Sequence, residues 1–448
     1  MKILSQYLSF TPNTNQKEVL SMMYSFLNQN DKNTFILSGA AGTGKTSITE
    51  ALTNGLTDHN IMYSLCAPTG RAAKIISEKT KQNAITIHKQ LYTLNEITDA
   101  DGQTIRFEFI PKINICDQPA VFLIDESSMI SNRKPNENDR FISENSLLFD
   151  LVKYVKSGHP ENKIVFIGDE YQLPPINSVF SPALTPNILE HEFKLKTQKA
   201  NLTEIVRQKS DSHILKSAIE IKKAIDDKRK YFSFSFRNTQ SLNGFLKSYL
   251  QKHHSNAGNT VMLAWKNARI EELNHLIRNR KFGINSNILN IGEQLIVTQK
   301  YYKETELHNG TFLRVHQIMG MEDYHGFKFA DVKLINILTN KIIPETIKIS
   351  VDPLIDDNYT NDFSREKKLY GFRMKENKLF RDNKDKRIDP YLSALKVKYG
   401  YAITVHKAQG GEWDDVFIYP EIPFKYDGGK WLYTAVTRAS KEIYSFKK

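Results

Sequence analysis

The most specific chemistry in the chain sits in one short run, Gly39-Ala40-Ala41-Gly42-Thr43-Gly44-Lys45-Thr46. It fits G-x-x-x-x-G-K-[ST], in which glycines let the backbone curl until its N–H groups face phosphate oxygens at a helix N-terminus. Lys45 is then placed to neutralise the β- and γ-phosphates, and the Thr46 hydroxyl to ligate Mg²⁺. The context fits as well: the apolar strand Phe35-Ile36-Leu37 precedes the run and a helical pattern begins at Ile48. Further on, Val121-Phe122-Leu123-Ile124 ends in Asp125-Glu126. Asp125 is placed to hold Mg²⁺ through water, and Glu126 to orient and deprotonate an attacking water. A phosphate loop followed by carboxylates at a strand tip predicts nucleoside triphosphate hydrolysis, and so far no more than that.

The elements that position these residues follow from the apolar pattern. Phe35–Leu37, Met62–Leu65, Val121–Ile124 and Ile164–Ile167 are short apolar runs ending in Gly, Pro or Asp and alternating with helical patterns. Such runs read as buried parallel strands feeding helices. A second set starts at Thr260–Ala264 and resumes at Tyr401–Thr404 and Val416–Tyr419. Between its pieces, from about Gly310 to Pro390, short alternating strands predict a β-rich insertion with turns at Asn309-Gly310 and Gly320. A smaller island, Tyr92–Ile110, has Asp101-Gly102 between β-formers, a hairpin signal. The 448 residues are enough for about three domains. No apolar run approaches the ~18 residues of a membrane span, the N-terminus turns polar too early for a signal peptide, and the two cysteines exclude a disulfide scaffold and suit a reducing cytoplasm. The histidines and cysteines show no zinc or iron spacing. A net charge of +12 favours a polyanionic partner without choosing among nucleic acid, acidic protein and membrane surface. Arg365–Arg387 holds ten basic residues against four acidic ones; a solvated charged surface and a phosphate-contacting arm both fit it.

Further blocks decide which hydrolase is expected. Gly168-Asp169-Glu170-Tyr171-Gln172-Leu173-Pro174-Pro175 puts Gln172 where a γ-phosphate can be read. Ala67-Pro68-Thr69-Gly70-Arg71 follows one strand, and Thr86-Ile87-His88-Lys89 comes soon after. Leu202-Thr203-Glu204-Ile205-Val206-Arg207 precedes the second set of strands. Thr404-Val405-His406-Lys407-Ala408-Gln409-Gly410 and Tyr433-Thr434-Ala435-Val436-Thr437-Arg438-Ala439 stand near the C-terminus. In order and approximate spacing, from Gln16 to Arg438, this set resembles the motifs of superfamily 1B helicases in the RecD-like branch, with the phage Dda type nearest.

The resemblance implies an α/β fold of two RecA-like motor domains, parallel sheets with flanking helices, with ATP and Mg²⁺ between them and single-stranded DNA across their top. It places the first motor at 1–190 with a hairpin pin at about 91–112, the second at 191–309 and 391–448, and an SH3-like insertion at 310–390. By family position Gln16 reads the adenine edge, and Gly410 and Glu412 join the loop residues 39–46 at the nucleotide. Arg207 and Arg438 match the arginines that reach the γ-phosphate from the second motor, where planar guanidiniums stabilise charge on the transferring phosphoryl group. Pro68, Thr69, His88, Thr404, His406, Lys407 and Gln409 match positions that touch the strand or couple it to ATP. His88 also reads as an ordinary core histidine, and no proton transfer is assigned to His406. Phe107 and Phe109 are candidates for stacking on a base at the junction, with hairpin core the equal alternative. Gly70 departs from relatives that carry a strand-contacting side chain there, and Ser131–Pro160 is longer than in compact phage members, with no role assigned. The expected activity is ATP-dependent 5′→3′ unwinding by a monomer acting on tailed or forked DNA in the cytoplasm of the cell or of a host, alongside single-strand-binding or replication and recombination proteins. A translocase that strips proteins without unwinding, an ATPase-switched binding subunit and an RNA track remain open.

Overall fold

The computed structural model describes residues 4–98, 104–136, 141–204, 213–229, 232–284, 286–299, 301–302, 305–356, 363–423 and 428–447. A six-stranded parallel sheet forms first, in the order Ala84–Thr86, Met62–Ala67, Ala120–Ile124, Lys163–Gly168, Thr34–Gly39 and Thr197–Leu202. Its central strands are buried at every residue, as expected where helices cover both faces. The pleat sorts the side chains: Phe35 and Leu37 pack under helices Thr14–Asn28 and Lys45–Asp58 through Val19, Met23, Ile48 and Leu52. Ile36 points the other way, towards Leu148, Leu151 and Val155 of helix Leu147–Ser157. Helix Thr14–Asn28 is started by a reciprocal box in which Asn13 and Gln16 each accept the other's backbone N–H.

Five parallel strands make the second sheet, in the order Arg237–Asn238, Ala439–Ser445, Trp413–Ile418, Thr260–Ala264 and Ala402–Thr404. Helix His213–Asp226 packs against helix Gly428–Val436 and so joins this unit. A β-ring interrupts it. Phe312–Tyr324 pairs with Gln294–Val297, then Leu395–Tyr399, Ile347–Ser350 and Phe327–Asn336 follow, and the last pairs back with Phe312–Tyr324 to close the ring. The ring therefore takes one strand from each side of the 310–390 stretch. The turn expected at Gly320 is not there. Gly320 lies inside the long strand at a register irregularity, and the chain reverses at His325-Gly326, both with positive φ (53° and 81°). A glycine in a strand marked a bulge rather than a turn.

Tyr92–Thr98 and Thr104–Pro111 pair antiparallel as the hairpin predicted from the sequence, whose Asp101-Gly102 turn lies outside the described residues. A third strand, Phe141–Ile142, lies parallel to Thr104–Pro111 with Phe107 opposite Phe141. The segment with no assigned role thus widens the hairpin into a small sheet. The basic stretch forms helix Phe363–Glu376, seated on the ring through Leu369, Phe327 and Phe329, and helix Lys378–Asn383, whose Phe380 packs on Tyr370 of the first.

Candidate nucleotide and nucleic-acid sites

The phosphate loop follows directly from the strand before it. Gly42 and Gly44 take φ of 81° and 96°, a region L side chains rarely adopt. A Cβ on Gly44 would lie 2.6 Å from Gln16 Nε2. Gln16 is fully buried and donates to Thr43 O at 3.3 Å, so the residue expected to read adenine sits directly beneath the loop. Thr43 Oγ1 donates to Ala40 O at 2.8 Å, and Lys45 Nζ reaches Gly39 O at 2.6 Å and Ala40 O at 3.0 Å. Gly39 is packed against Leu202 and Thr43 too closely for a side chain. Thr46 lies in the first turn of the helix that follows, Lys45–Asp58.

Asp125 and Glu126 stand at the tip of the neighbouring strand. Burial, and then the Glu126 charge, push the Asp125 carboxyl up to about 7, against the opposing pull of Lys45 and Lys79. Glu126 holds a left-handed φ of 50°, a strained conformation for a non-glycine residue that concentrates at functional sites. Gln172 is buried in the turn after Lys163–Gly168, and its Oε1 accepts no hydrogen bond among the described residues. The donor set fits a hard cation: a hydroxyl, crowded carboxylates and no sulfur or imidazole, the chemistry in which Mg²⁺ is held by one or two carboxylates together with phosphates.

The second unit meets this face through helix Gly428–Val436. Tyr433 OH accepts from Ala41 N–H at 3.2 Å and donates to Asp169 Oδ2 at 2.9 Å. Leu173 is held on both sides of its peptide, its N–H by Thr434 Oγ1 and its carbonyl by Gln409 Nε2, both at 2.9 Å. Arg438 is buried and donates to Thr434 O, Gly411 O and Thr437 Oγ1. Gly410 closes on Ala72 with φ 72°, and Glu412 pairs with Lys79 at 3.3 Å. Arg71 lies over Trp413 at 4.0 Å and Phe312 at 5.3 Å; burial, with Arg438 nearby, lowers it to about 10.

A cleft of about 1490 Å³ runs between the hairpin sheet, the β-ring and the basic helices. Its hairpin wall is a run of rings. Phe107 and Phe109 flank Phe141 at 5.3 and 5.6 Å, nearly parallel, and Phe109 continues to His88 and Tyr92 at 5.0 Å each. Across it stand Lys367, Lys384, Lys386 and Arg387, with Lys386 Nζ 5.6 Å from the Phe107 ring centre. Rings beside cations suit unpaired bases and phosphates.

Known proteins share this order. An AAA domain model matches residues 12–229, and a UvrD-like helicase C-terminal domain model matches 399–444. An uncharacterized protein of Acanthamoeba polyphaga mimivirus is 24% identical over 96% of this chain and 99% of its own. The ATP-dependent DNA helicase Dda of Enterobacteria phage T4 is 24% identical, over 91% and 93%. A Pif1 helicase from Candida albicans superposes with a TM-score of 0.48 at 15% identity, over 98% and 95%. These matches are consistent with a superfamily 1B helicase related to RecD and Dda.

Within this helicase the residues singled out from the sequence fall into three places. Gln16, Gly39–Thr46, Asp125, Glu126 and Gln172 line one face, with Gly410, Glu412 and Arg438 on the unit opposite. Arg207 lies outside the described residues. His88, Phe107 and Phe109 share the cleft wall, and burial holds the His88 imidazole below its usual range. Pro68 leads into Thr69, whose hydroxyl caps helix Gly70–Thr80, and Thr404 caps Val405–Ala408 in the same way. His406 and Lys407 ride on that short helix, and burial lowers Lys407. Gln409 turns away from the cleft to Leu173. Sequence reasoning missed Phe141, Tyr433 and Arg71. The block around Tyr433 is legible as a motif, but no local signal separates its tyrosine from core.

Proposed function

We propose that this helicase hydrolyses ATP with Mg²⁺ to move 5′→3′ along single-stranded DNA and to separate tailed or forked duplexes, acting as a monomer in a reducing compartment such as the cytoplasm. The phage relative is by name an ATP-dependent DNA helicase. The observation that carries the reading is the double use of one chain. The unit that holds the phosphate loop also bears the aromatic hairpin wall, and the second unit touches both the loop and the elements beside the cleft. In this reading Lys45 holds the β- and γ-phosphates, and Thr46 and Asp125 hold the cation, which supplies charge neutralisation when bound. Glu126 orients an attacking water and draws its proton, Gln172 reads the γ-phosphate, and Arg207 and Arg438 approach that phosphate as the units close. Each closure moves the Thr404–Gln409 block relative to Thr69 and His88, and the hairpin excludes the complementary strand.

ATPase rate with single-stranded DNA, single-stranded RNA, duplex DNA and no polymer tests the track, and displacement from 5′- or 3′-tailed duplexes tests the direction. Stimulation by single-stranded DNA and opening of the 5′-tailed substrate are expected. Stimulation by RNA alone, or opening of the 3′-tailed substrate alone, overturns the reading. Strong stimulation with no opening of either duplex would leave a translocase.

A further inference from the structure

Tyr433 ties the second unit to the phosphate loop itself. It is 1% exposed on helix Gly428–Val436, its ring packs 6.0 Å from Tyr171, and its hydroxyl both accepts from Ala41 N–H and donates to Asp169 Oδ2. Burial and Asp169 hold the phenol well above its usual range, so it stays protonated and able to donate. Ala41 is the third residue of the loop, and loop N–H groups of this kind are the ones that face phosphate oxygens. A backbone N–H carries one proton and makes one good hydrogen bond. Phosphate and phenol therefore compete for it.

We propose that Tyr433 is a positioning residue that latches the second unit to the loop, and that nucleotide phosphate displaces its hydroxyl from Ala41. The inference rests on the ATP-dependent reading above and specifies how its nucleotide site reports to the second unit. The structure supplies the path. Asp169, still bonded to the displaced hydroxyl, accepts from Tyr171 N–H at 3.0 Å and opens the turn that carries Gln172. Leu173 closes that turn and is gripped by Thr434 of the same helix and by Gln409. Moving Tyr433 thus moves both ends of the segment that holds Gln172 Oε1, unpartnered among the described residues, and through Gln409 the block that bears His406 and Lys407. Linkage fixes the sign: whatever nucleotide must break, its removal strengthens nucleotide binding.

Tyr433→Phe keeps the ring and deletes the hydroxyl. Binding of a fluorescent non-hydrolysable ATP analogue without polynucleotide should tighten roughly two- to tenfold, the range that deleting one competing hydrogen bond allows. Exchange of the loop peptide containing Ala41, measured without nucleotide, should quicken. Stimulation of ATPase by single-stranded DNA should fall, with KM for ATP lowered rather than raised. Unchanged or weaker analogue binding by a Tyr433→Phe protein that melts like the wild type overturns the latch. If that variant does not fold, Asp169→Asn decides, because it keeps an acceptor for the hydroxyl but weakens it. Tighter analogue binding supports the latch and unaltered binding overturns it. Failure of the wild-type protein to bind the analogue at all would sink the ATP reading itself, a separate outcome.

Discussion

Asp150→Ala removes the acceptor that roots the hairpin, from a position outside both the phosphate loop and the lining of the cleft. Asp150 is 2% exposed on helix Leu147–Ser157. Its carboxylate accepts from the Tyr92 hydroxyl at 2.8 Å and from Asn145 Nδ2 at 3.1 Å. Tyr92 is the first residue of the hairpin, and Asn145 follows closely on the strand that carries Phe141, so one buried carboxylate fixes both pieces of the aromatic wall. The substitution orphans a buried hydroxyl and a half-buried amide. A buried polar group left unsatisfied costs about 1–3 kcal/mol, and the amide can turn to water, so a loss of about 2–3 kcal/mol is expected. In a unit of this size that lowers the melting temperature by roughly 4–12 °C. Duplex opening per ATP on a 5′-tailed substrate should drop several-fold, while ATPase stimulated by single-stranded DNA stays near wild type. Asp150→Asn should restore both, since it keeps an oxygen for Tyr92 and Asn145 can present its own amide oxygen. An Asp150→Ala protein that melts early yet opens duplex at wild-type efficiency would show that the root of the hairpin does not position the wedge. Equal losses of ATPase and opening would show damage to the motor instead.

Glu126→Gln should retain ATP and strand binding while losing turnover, because the position beside Asp125 is kept and only water activation suffers; steady-state ATPase near wild type would remove Glu126 from that role. Replacing Lys367, Lys384 and Lys386 with glutamine should flatten the dependence of log affinity on log salt by about 0.7 for each single-strand phosphate that is no longer neutralised. An unchanged slope would return these residues to plain surface charge. Because burial holds His88 below its usual range, the unfolded chain takes up this proton at higher pH than the folded one. The stability this group contributes is therefore complete above about pH 6.5 and is lost as pH falls through the folded-state value. His88→Phe, which keeps a ring against Tyr92 and Phe109, should lose less melting temperature than the wild type between roughly pH 7.5 and 5.5, and an equal loss would place the acid sensitivity elsewhere.

The parts of this molecule that were legible in the sequence are those whose cause is local. Phe35–Leu37, Val121–Ile124 and Ile164–Ile167 read as strands because a strand covered on both faces must be apolar at every position, and each lies within a strand of the first sheet. The loop glycines and the carboxylates at the strand tip were legible for the same reason: backbone curl and strand ends are written in a few adjacent residues. Closure of the β-ring was not legible. It pairs Gln294–Val297 with Leu395–Tyr399, and nothing near either strand marks so distant a partner. Phe141 escaped because a two-residue strand has no period to read. The Ala41–Tyr433 bond escaped because it joins residues 392 apart; the block around Tyr433 suggested a nucleotide role for Arg438 but gave the tyrosine no partner.

The contacts between the two motors differ in how they can give way, and that difference assigns them different work. Those at the phosphate loop are single hydrogen bonds: Ala41 to Tyr433, Tyr433 to Asp169, and the pair on Leu173. Hydrogen bonds weaken steeply with distance and angle, so a small rotation of helix Gly428–Val436 breaks rather than stretches them. Arg71 makes a contact of another kind. Projecting from the first motor, its guanidinium lies over Trp413 of the second and Phe312 of the β-ring. At about 10 it remains charged at neutral pH, and a cation over a ring face keeps its attraction as it slides across that face. A hinge needs one side that lets go and one side that holds while it moves. The loop side has the brittle bonds and the Arg71 side the sliding ones, so closure on nucleotide should pivot about Arg71. Arg71→Lys would keep the charge but give up the planar stacking group. It should therefore weaken the coupling between ATPase and strand movement more than it weakens nucleotide binding. If duplex opening per ATP is unchanged in Arg71→Lys, the pivot lies elsewhere.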